Sequence, residues 1–259
     1  MFSEQVSFNF SGKRVLVTGA TSGIGESVSR SFAESGANLV ITGRDENRGN
    51  KVLGELHAQN ADAWFVRGDV TNATFCEDLV DLAHERMGGL DVLVNCAGII
   101  YHANALDTTD KQWRDTMDVN VNGVFYLCRA ALRHMRQTGG VILNIASDAG
   151  LSASDELTAY NTSKAAVIQM SRSMARDFGP HNVRVLPICP GDVDTPMLRG
   201  EFEELGLSAE HGLRQSAEGV PLKRVCSSRE VAALVLYAAS DMAAFMSGYP
   251  LVLDAAHRA

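Results

Sequence analysis

Residues 14–30, RVLVTGATSGIGESVSR, decide the fold. The apolar run at 14–18 reads as a strand buried on both faces, followed by a glycine-rich turn and then a helix. Gly19 lets the chain turn sharply, while Gly23 and Gly25 let backbone approach a phosphate and let the helix pack close. A helix N-terminus offers free N–H groups and partial positive charge, so the order strand, turn, helix suits a pyrophosphate. The spacing G-x-x-x-G-x-G departs from the usual dinucleotide G-x-G-x-x-G, and the G-K-[ST] of a triphosphate loop is missing.

Outward from this stretch, short runs rich in Val, Ile and Leu alternate with amphipathic segments. Strands are expected at 14–18, 38–42, 63–66, 91–95, 140–146, 183–188 and 250–253. Helices are expected near 23–35, 46–59, 71–86, 110–136, 158–178 and 228–240, with capping boxes at Thr109/Gln112 and Ser227/Glu230. Alternating β and α segments, one helix per crossover, predict an α/β fold. Its doubly wound, Rossmann-like parallel sheet of seven strands would form one domain over residues 1–259.

Composition narrows the partners. The net charge of -8, without a Lys/Arg run, argues against nucleic acid. The apolar run VAALVLYAA at 231–239 is too short for a membrane span, and MFSEQVSFNF does not read as a signal peptide. Five cysteines (76, 96, 128, 189 and 226) without C-x-x-C fit reduced thiols, so a cytoplasmic location is expected. No metal is expected, because His84, His134 and His211 share no ligand spacing.

The chemistry is sought in 147–170, SDAGLSASDELTAYNTSKAAVIQM. Tyr160 and Lys164 stand four apart, on one face of the predicted helix 158–178, and Ser147 follows a strand at its carboxyl end. A free phenol has a pKa of about 10, so acid/base work at neutral pH requires a drop of about 3 units, or roughly 4 kcal/mol. An adjacent ammonium favours phenolate in that sense.

With these residues in place, the chain resembles the short-chain dehydrogenases/reductases along nearly its whole length. The motifs stand in family order: TGATSGIG (18–25), GDV (68–70), NCAG (95–98), VNVNG (119–123), NIAS (144–147), YNTSK (160–164) and PGDVDTPM (190–197). The resemblance implies Tyr160 as general acid/base and Ser147 as the group that holds and polarises the substrate oxygen. It implies Lys164 as the residue that lowers the phenol pKa and binds the nicotinamide ribose, and Asn120 as holder of a water in the proton relay. It implies an NAD(P) cofactor held by Gly19, Thr21, Ser22, Gly23, Ile24 and Gly25. Asp69 and Val70 would meet adenine, Asn95 would line the cleft, and Val193 and Thr195 would meet the carboxamide. The implied reaction is hydride transfer between a secondary alcohol and a ketone, on a 3-oxoacyl-type, polyol or small secondary-alcohol substrate. The rival reading is a dinucleotide-binding regulatory protein without turnover, against which the intact Ser147, Tyr160 and Lys164 speak.

Several features are individual to this chain. The second strand ends in Gly43 and Arg44, where NAD-preferring relatives place a carboxylate, so NADP(H) is favoured over NAD(H). Cys96 replaces the second Asn of NNAG, Ala146 replaces a frequent second Ser, and VLDAAHRA replaces the common V-D-G-G near 254–256. His102 and Asn104 are read as residues of a solvated loop, with the lining of a substrate pocket as the alternative, and EFEEL at 201–205 as a solvated helix face. Residues 192–219 exceed a usual connection and are expected to form a substrate lid, with Phe202, Leu205, Leu207 and Leu213 on one short helix. A homotetramer is expected, with helices 110–136 and 158–178 packing across a two-fold axis through Phe125, Leu132, Met135, Met170 and Met174.

Overall fold

The computed structural model describes residues 7–258. Seven strands form one all-parallel sheet in the order β3-β2-β1-β4-β5-β6-β9. They are β1 (Arg14–Thr18), β2 (Asn38–Gly43), β3 (Ala63–Arg67), β4 (Val92–Asn95), β5 (Gly140–Ile145), β6 (Val183–Pro190) and β9 (Leu251–Leu253). All seven expected strands are present, with ends displaced by two residues at most.

The continuous apolar runs follow from cover on both faces. Along β1, Val15 and Val17 enter one core cluster and Leu16 the other; along β2, Leu39 and Ile41 oppose Val40 in the same way. One face carries α1 (Gly23–Glu34), α2 (Glu46–Ala58) and α9 (Ser228–Ala239), packed through Val28, Phe32, Leu56, Val231 and Val235. The other carries α3 (Ala73–Met87), α5 (Val124–Thr138) and α6 (Thr158–Phe178), through Leu79, Val80, Leu127, Met135 and Val167. Both capping boxes form, at Thr109/Gln112 and Ser227/Glu230.

The order reverses between β1 and β4, and the carboxyl ends of these strands mark the ligand side. A buried polar row runs along that edge. Thr18 Oγ1 accepts from the backbone N–H of Cys96 (3.2 Å), Asn95 Nδ2 donates to Asn144 Oδ1 (2.8 Å), and Asn144 Nδ2 donates to Ser171 Oγ (2.9 Å).

Three expectations need correction. The helix expected at 110–136 is α4 (Asp110–Met117), then a π-helical turn at Asp118–Gly123, then α5. The wider turn carries Asn120; such insertions recur at functional sites. Residues 192–219 hold two helices, α7 (Pro196–Glu204) and α8 (Ala209–Gly219), rather than one. Phe202 is buried against Gly212, whose missing side chain makes room for the ring, whereas Leu205 is exposed. A short parallel pair, β7 (Val193–Asp194) with β8 (Cys226–Ser227), staples the two ends of this excursion together. Finally, Leu132, Met135 and Met174 lie in the core, so of the five residues expected at an interface only Phe125 and the half-buried Met170 remain available.

Candidate active site

The turn between β1 and α1 is built on close approach. Gly19 has φ +62°, and a Cβ there would stand 2.7 Å from the Ala97 nitrogen. A Cβ on Gly25 would stand 2.3 Å from the Gly19 carbonyl oxygen, so α1 can begin against the turn only without a side chain at that position. Ser22, the N-cap of α1, makes no side-chain capping bond, which leaves the first N–H groups of the helix free for an anion. These residues form one wall of a cleft that also takes in Gly43, Arg44, Asp69, Val70, Cys96, Gly98 and Thr195. Thr21, Ser22, Gly23 and Ile24 also line it. Thr42 Oγ1 is buried at this cleft without a hydrogen-bond partner.

Arg44 is exposed at the far end of the cleft. Gly43 carries no carboxylate, and a Cβ there would meet Thr21 Cγ2 at 2.5 Å. The nearest acid in sequence, Asp45, is turned away to cap α2, accepting from the Arg48 backbone N–H at 3.0 Å.

Asn95 departs from its expected place. It is not among the cleft residues; its side chain bridges β4 to β5 and reaches Cys128, so it fixes the strand ends from within the sheet.

The cleft runs into a second cavity, sharing Ile24, Cys96, Gly98, Thr195 and Met197. Ser147, Tyr160 and Lys164 converge on it, together with Val193. Ser147 stands just beyond β5, and Tyr160 and Lys164 share one face of α6. Lys164 is buried, donates to the Ile145 carbonyl at 2.9 Å and places Nζ 5.4 Å from the centre of the Tyr160 ring. Burial pushes the Lys164 ammonium down to about 8. Burial raises the Tyr160 phenol; the Ser147 hydroxyl opposes this, and the carboxylates of Glu201, Asp148 and Asp192 add to it. The lowered phenol that the resemblance implies is therefore not produced by these side chains alone.

Asn120 is buried, and both ends of its amide are hydrogen-bonded. Oδ1 accepts from the Ile99 N–H (2.9 Å), while Nδ2 donates to the Ile99 carbonyl (2.9 Å) and Ser163 Oγ (3.0 Å). It ties the loop after β4 to α6. The space left by the absent side chain of Gly98 lies within 3.4 Å of Asn120 Oδ1 and 3.6 Å of Lys164 Nζ. That gap, the glycine cradle and the free end of α1 fit a dinucleotide.

Other residues enter the cavity without a sequence signal. Glu201 of α7 faces inward and pairs with His102 at 2.6 Å, so EFEEL is not a wholly solvated face. Burial raises the Glu201 carboxyl. Asp148, Asp192, Ser154 and Arg258 complete the polar lining. Asn104 instead folds its own loop, accepting from the N–H of Leu106. Among the described residues no group of three or more His, Cys, Asp or Glu is placed to hold a metal, all five cysteines are free thiols, and no helix is long and apolar enough to cross a membrane.

Comparison with known proteins agrees with this geometry. The family description "short chain dehydrogenase" matches residues 13–206. An uncharacterised oxidoreductase of Thermotoga maritima is 37% identical over 95% of this chain and 97% of its own. The trans-4-hydroxycyclohexanecarboxylate dehydrogenase of Sinomonas cyclohexanicum is 35% identical over 96% and 94%. A crystal structure of a variant actinorhodin polyketide ketoreductase with NADPH superposes with a TM-score of 0.90 at 29% identity, covering 97% of this chain and 99% of that one. The chain belongs to the short-chain dehydrogenase/reductase family, oxidoreductases acting on CH–OH groups.

Proposed function

We propose that the protein interconverts a small secondary alcohol and its ketone with NADP(H), Tyr160 serving as general acid/base. The observation that carries this is the convergence of Ser147, Tyr160 and Lys164 on a cavity continuous with the glycine-cradled cleft. Gly19, Thr21, Ser22, Gly23, Ile24 and Gly25 hold the pyrophosphate, Asp69 and Val70 meet adenine, and Val193 and Thr195 flank the carboxamide. The dinucleotide supplies the hydride acceptor or donor and, when oxidised, a positive ring that favours phenolate.

In oxidation, Tyr160 Oη takes the proton of the substrate hydroxyl, and Ser147 Oγ fixes the substrate oxygen against it. Lys164 holds the ribose and steadies the phenolate charge. A water in the gap beside Gly98, between Asn120 and Lys164, carries the proton onward. In reduction, the phenol returns the proton to the ketone oxygen.

The preference for NADP(H) rests on Arg44 at the cleft end, on the missing carboxylate at Gly43 and on the withdrawal of Asp45 into its helix cap. The substrate cavity carries three carboxylates against two cations, Lys164 and Arg258, and this small negative excess favours a neutral hydroxylated substrate, such as a diol or polyol, over an anion. Residues 192–219 act as a lid, hinged at the β7/β8 staple and latched by the His102–Glu201 pair. A homotetramer is consistent with Phe125 and Trp113 on the α4–α5 side and with the exposed Met242, Phe245, Tyr249 and Val252 around β9. Free thiols suit the cytoplasm.

The test is a spectrophotometric screen of neutral diols, polyols, secondary alcohols and hydroxy acids with both dinucleotides. Turnover must appear, and Tyr160→Phe must lower kcat at least about a thousandfold while the dinucleotide Kd stays within about twofold. A Tyr160→Phe enzyme that keeps most of its kcat refutes the assignment.

A further inference from the structure

The chain's last described residues reach the catalytic pocket. Asp254 organises a tight turn there: Oδ1 accepts from the Ala256 N–H and Oδ2 from the Arg258 N–H, both at 3.0 Å. Ala255 and Ala256 sit at φ +53° and +63°, a left-handed conformation that costs an L-residue energy and is held here by these bonds. The turn aims Arg258 into the cavity that holds Tyr160 and Ser147. Its Nε donates to Asp148 Oδ2 at 3.2 Å, Nη1 donates to the Ala153 carbonyl at 3.3 Å, and Nη2 donates to Ser154 Oγ. His257 Nδ1 stands 3.7 Å from the same Asp148 oxygen. The Asp148 side chain is only 7% exposed, and its other oxygen accepts from Ser147 Oγ at 3.1 Å.

A continuous chain of polar contacts thus runs from Arg258 through Asp148 to the serine that meets the substrate. We propose that Arg258 is a positioning residue for the reaction: it holds and neutralises Asp148, which would otherwise compete with the substrate oxygen for the single Ser147 hydroxyl proton and oppose ionisation of Tyr160. The inference rests on the acid/base reading of Tyr160 and adds a residue to it.

The charged groups facing the phenol come from every side. Lys164 lies on α6, Glu201 on α7 with His102 behind it, Asp192 after β6, Asp148 after β5 with His257 against it, and Arg258 on the tail. Three are carboxylates. Asp148 is the carboxylate that the tail pairs, so removal of Arg258 leaves a buried negative charge beside Tyr160, which resists phenolate.

The experiment is the pH profile of kcat/KM for alcohol oxidation, from pH 6 to 10, with the best diol or secondary alcohol of the screen. Arg258→Met moves the rising limb up by about one unit, which at a pH below the limb is a loss of about tenfold. Arg258→Lys restores most of the shift. The double variant Arg258→Met/Asp148→Asn brings the limb back to within about 0.3 unit of wild type, because both members of the pair are gone. An unmoved limb in Arg258→Met, or a double variant shifted as far as the single one, overturns the proposal. So does loss of the fold in Arg258→Met by circular dichroism, since a positioning contact must leave the fold standing. Failure of the underlying function is read separately: it shows as no turnover by the wild type, or as a Tyr160→Phe enzyme that still turns over.

Discussion

Gly25→Ala isolates what the glycine turn contributes. The added Cβ would lie 2.3 Å from the Gly19 oxygen, 2.7 Å from the Gly19 carbonyl carbon and 3.1 Å from Ala20 Cα. All three are backbone atoms of the turn, so no side chain can swing aside. Restoring ordinary contact moves the start of α1 away from the turn by about 1 Å, and such overpacking costs about 1–3 kcal/mol. Helix propensity returns up to about 1 kcal/mol. The internal control is Gly54→Ala in α2, where an added Cβ meets nothing within 4 Å. There the propensity term stands alone, a gain of about 0.5–1 kcal/mol. Urea unfolding should therefore place Gly54→Ala above wild type and Gly25→Ala below it, the two separated by the contact term. Dinucleotide titration, followed by the fluorescence of Trp64 and Trp113, should show binding at least about tenfold weaker in Gly25→Ala, because a 1 Å retreat disrupts charge-assisted bonds worth about 1.5–3 kcal/mol each. If Gly25→Ala matches Gly54→Ala in stability and wild type in affinity, the close-approach argument is wrong.

Arg44→Ala should lower kcat/KM for NADP+ about tenfold and leave NAD+ nearly unchanged, the exposed guanidinium contact being at the weak end of its class; equal loss on both cofactors removes the NADP reading. Asp91 accepts from the Arg14 backbone N–H, Nε and Nη2 at 2.9, 2.8 and 2.7 Å, tying β4 to β1. Burial raises the Asp91 carboxyl, but the bonds from Arg14 prevail and hold it below its ordinary value. Its contribution is therefore complete above the unfolded carboxyl pKa, near 4, and is lost as pH falls through the lower folded value. Asp91→Asn should cost about 1–2 kcal/mol in urea unfolding at pH 7, with the deficit shrinking below about pH 4; a deficit independent of pH contradicts the pairing. For the lid, hydrogen exchange over 196–219 should slow when NADP+ and a product ketone are added together, and unchanged exchange speaks against closure.

The fold was legible because burial on both faces writes itself as uninterrupted Val, Ile and Leu, and because Gly19 and Gly25 answer a local steric demand. Ser147, Tyr160 and Lys164 were legible for a similar reason: one turn of helix and one strand end supply them. Residues whose role depends on tertiary aim were not. Glu201 looks like its neighbours Glu203 and Glu204, and only the seating of Phe202 against Gly212 turns it inward. Asn95 has the right identity for the cleft but is spent on Asn144 across the sheet. The tail left a partial signal, since alanines at 255 and 256 stand where glycine would be at ease, yet nothing in the sequence indicated that the strained turn delivers Arg258 to Asp148.

The π-helical turn at Asp118–Gly123 carries one more consequence. It amounts to a single residue inserted into an otherwise regular helix, and each residue of an α-helix advances the azimuth by about 100°. The helices α4 and α5 therefore run out of phase, and a stripe drawn through both at the usual period does not describe a single face. Deleting one residue between 118 and 123 would regularise the ladder and, because the wide turn absorbs the extra residue, would leave α4, with the buried Thr116 and the exposed Trp113, close to its present orientation. Tolerance here is local to the wide turn: a gap of one residue within 118–123 preserves the orientation of the flanking helices, whereas the same gap within α4 or α5 shifts every side chain beyond it by about 100°.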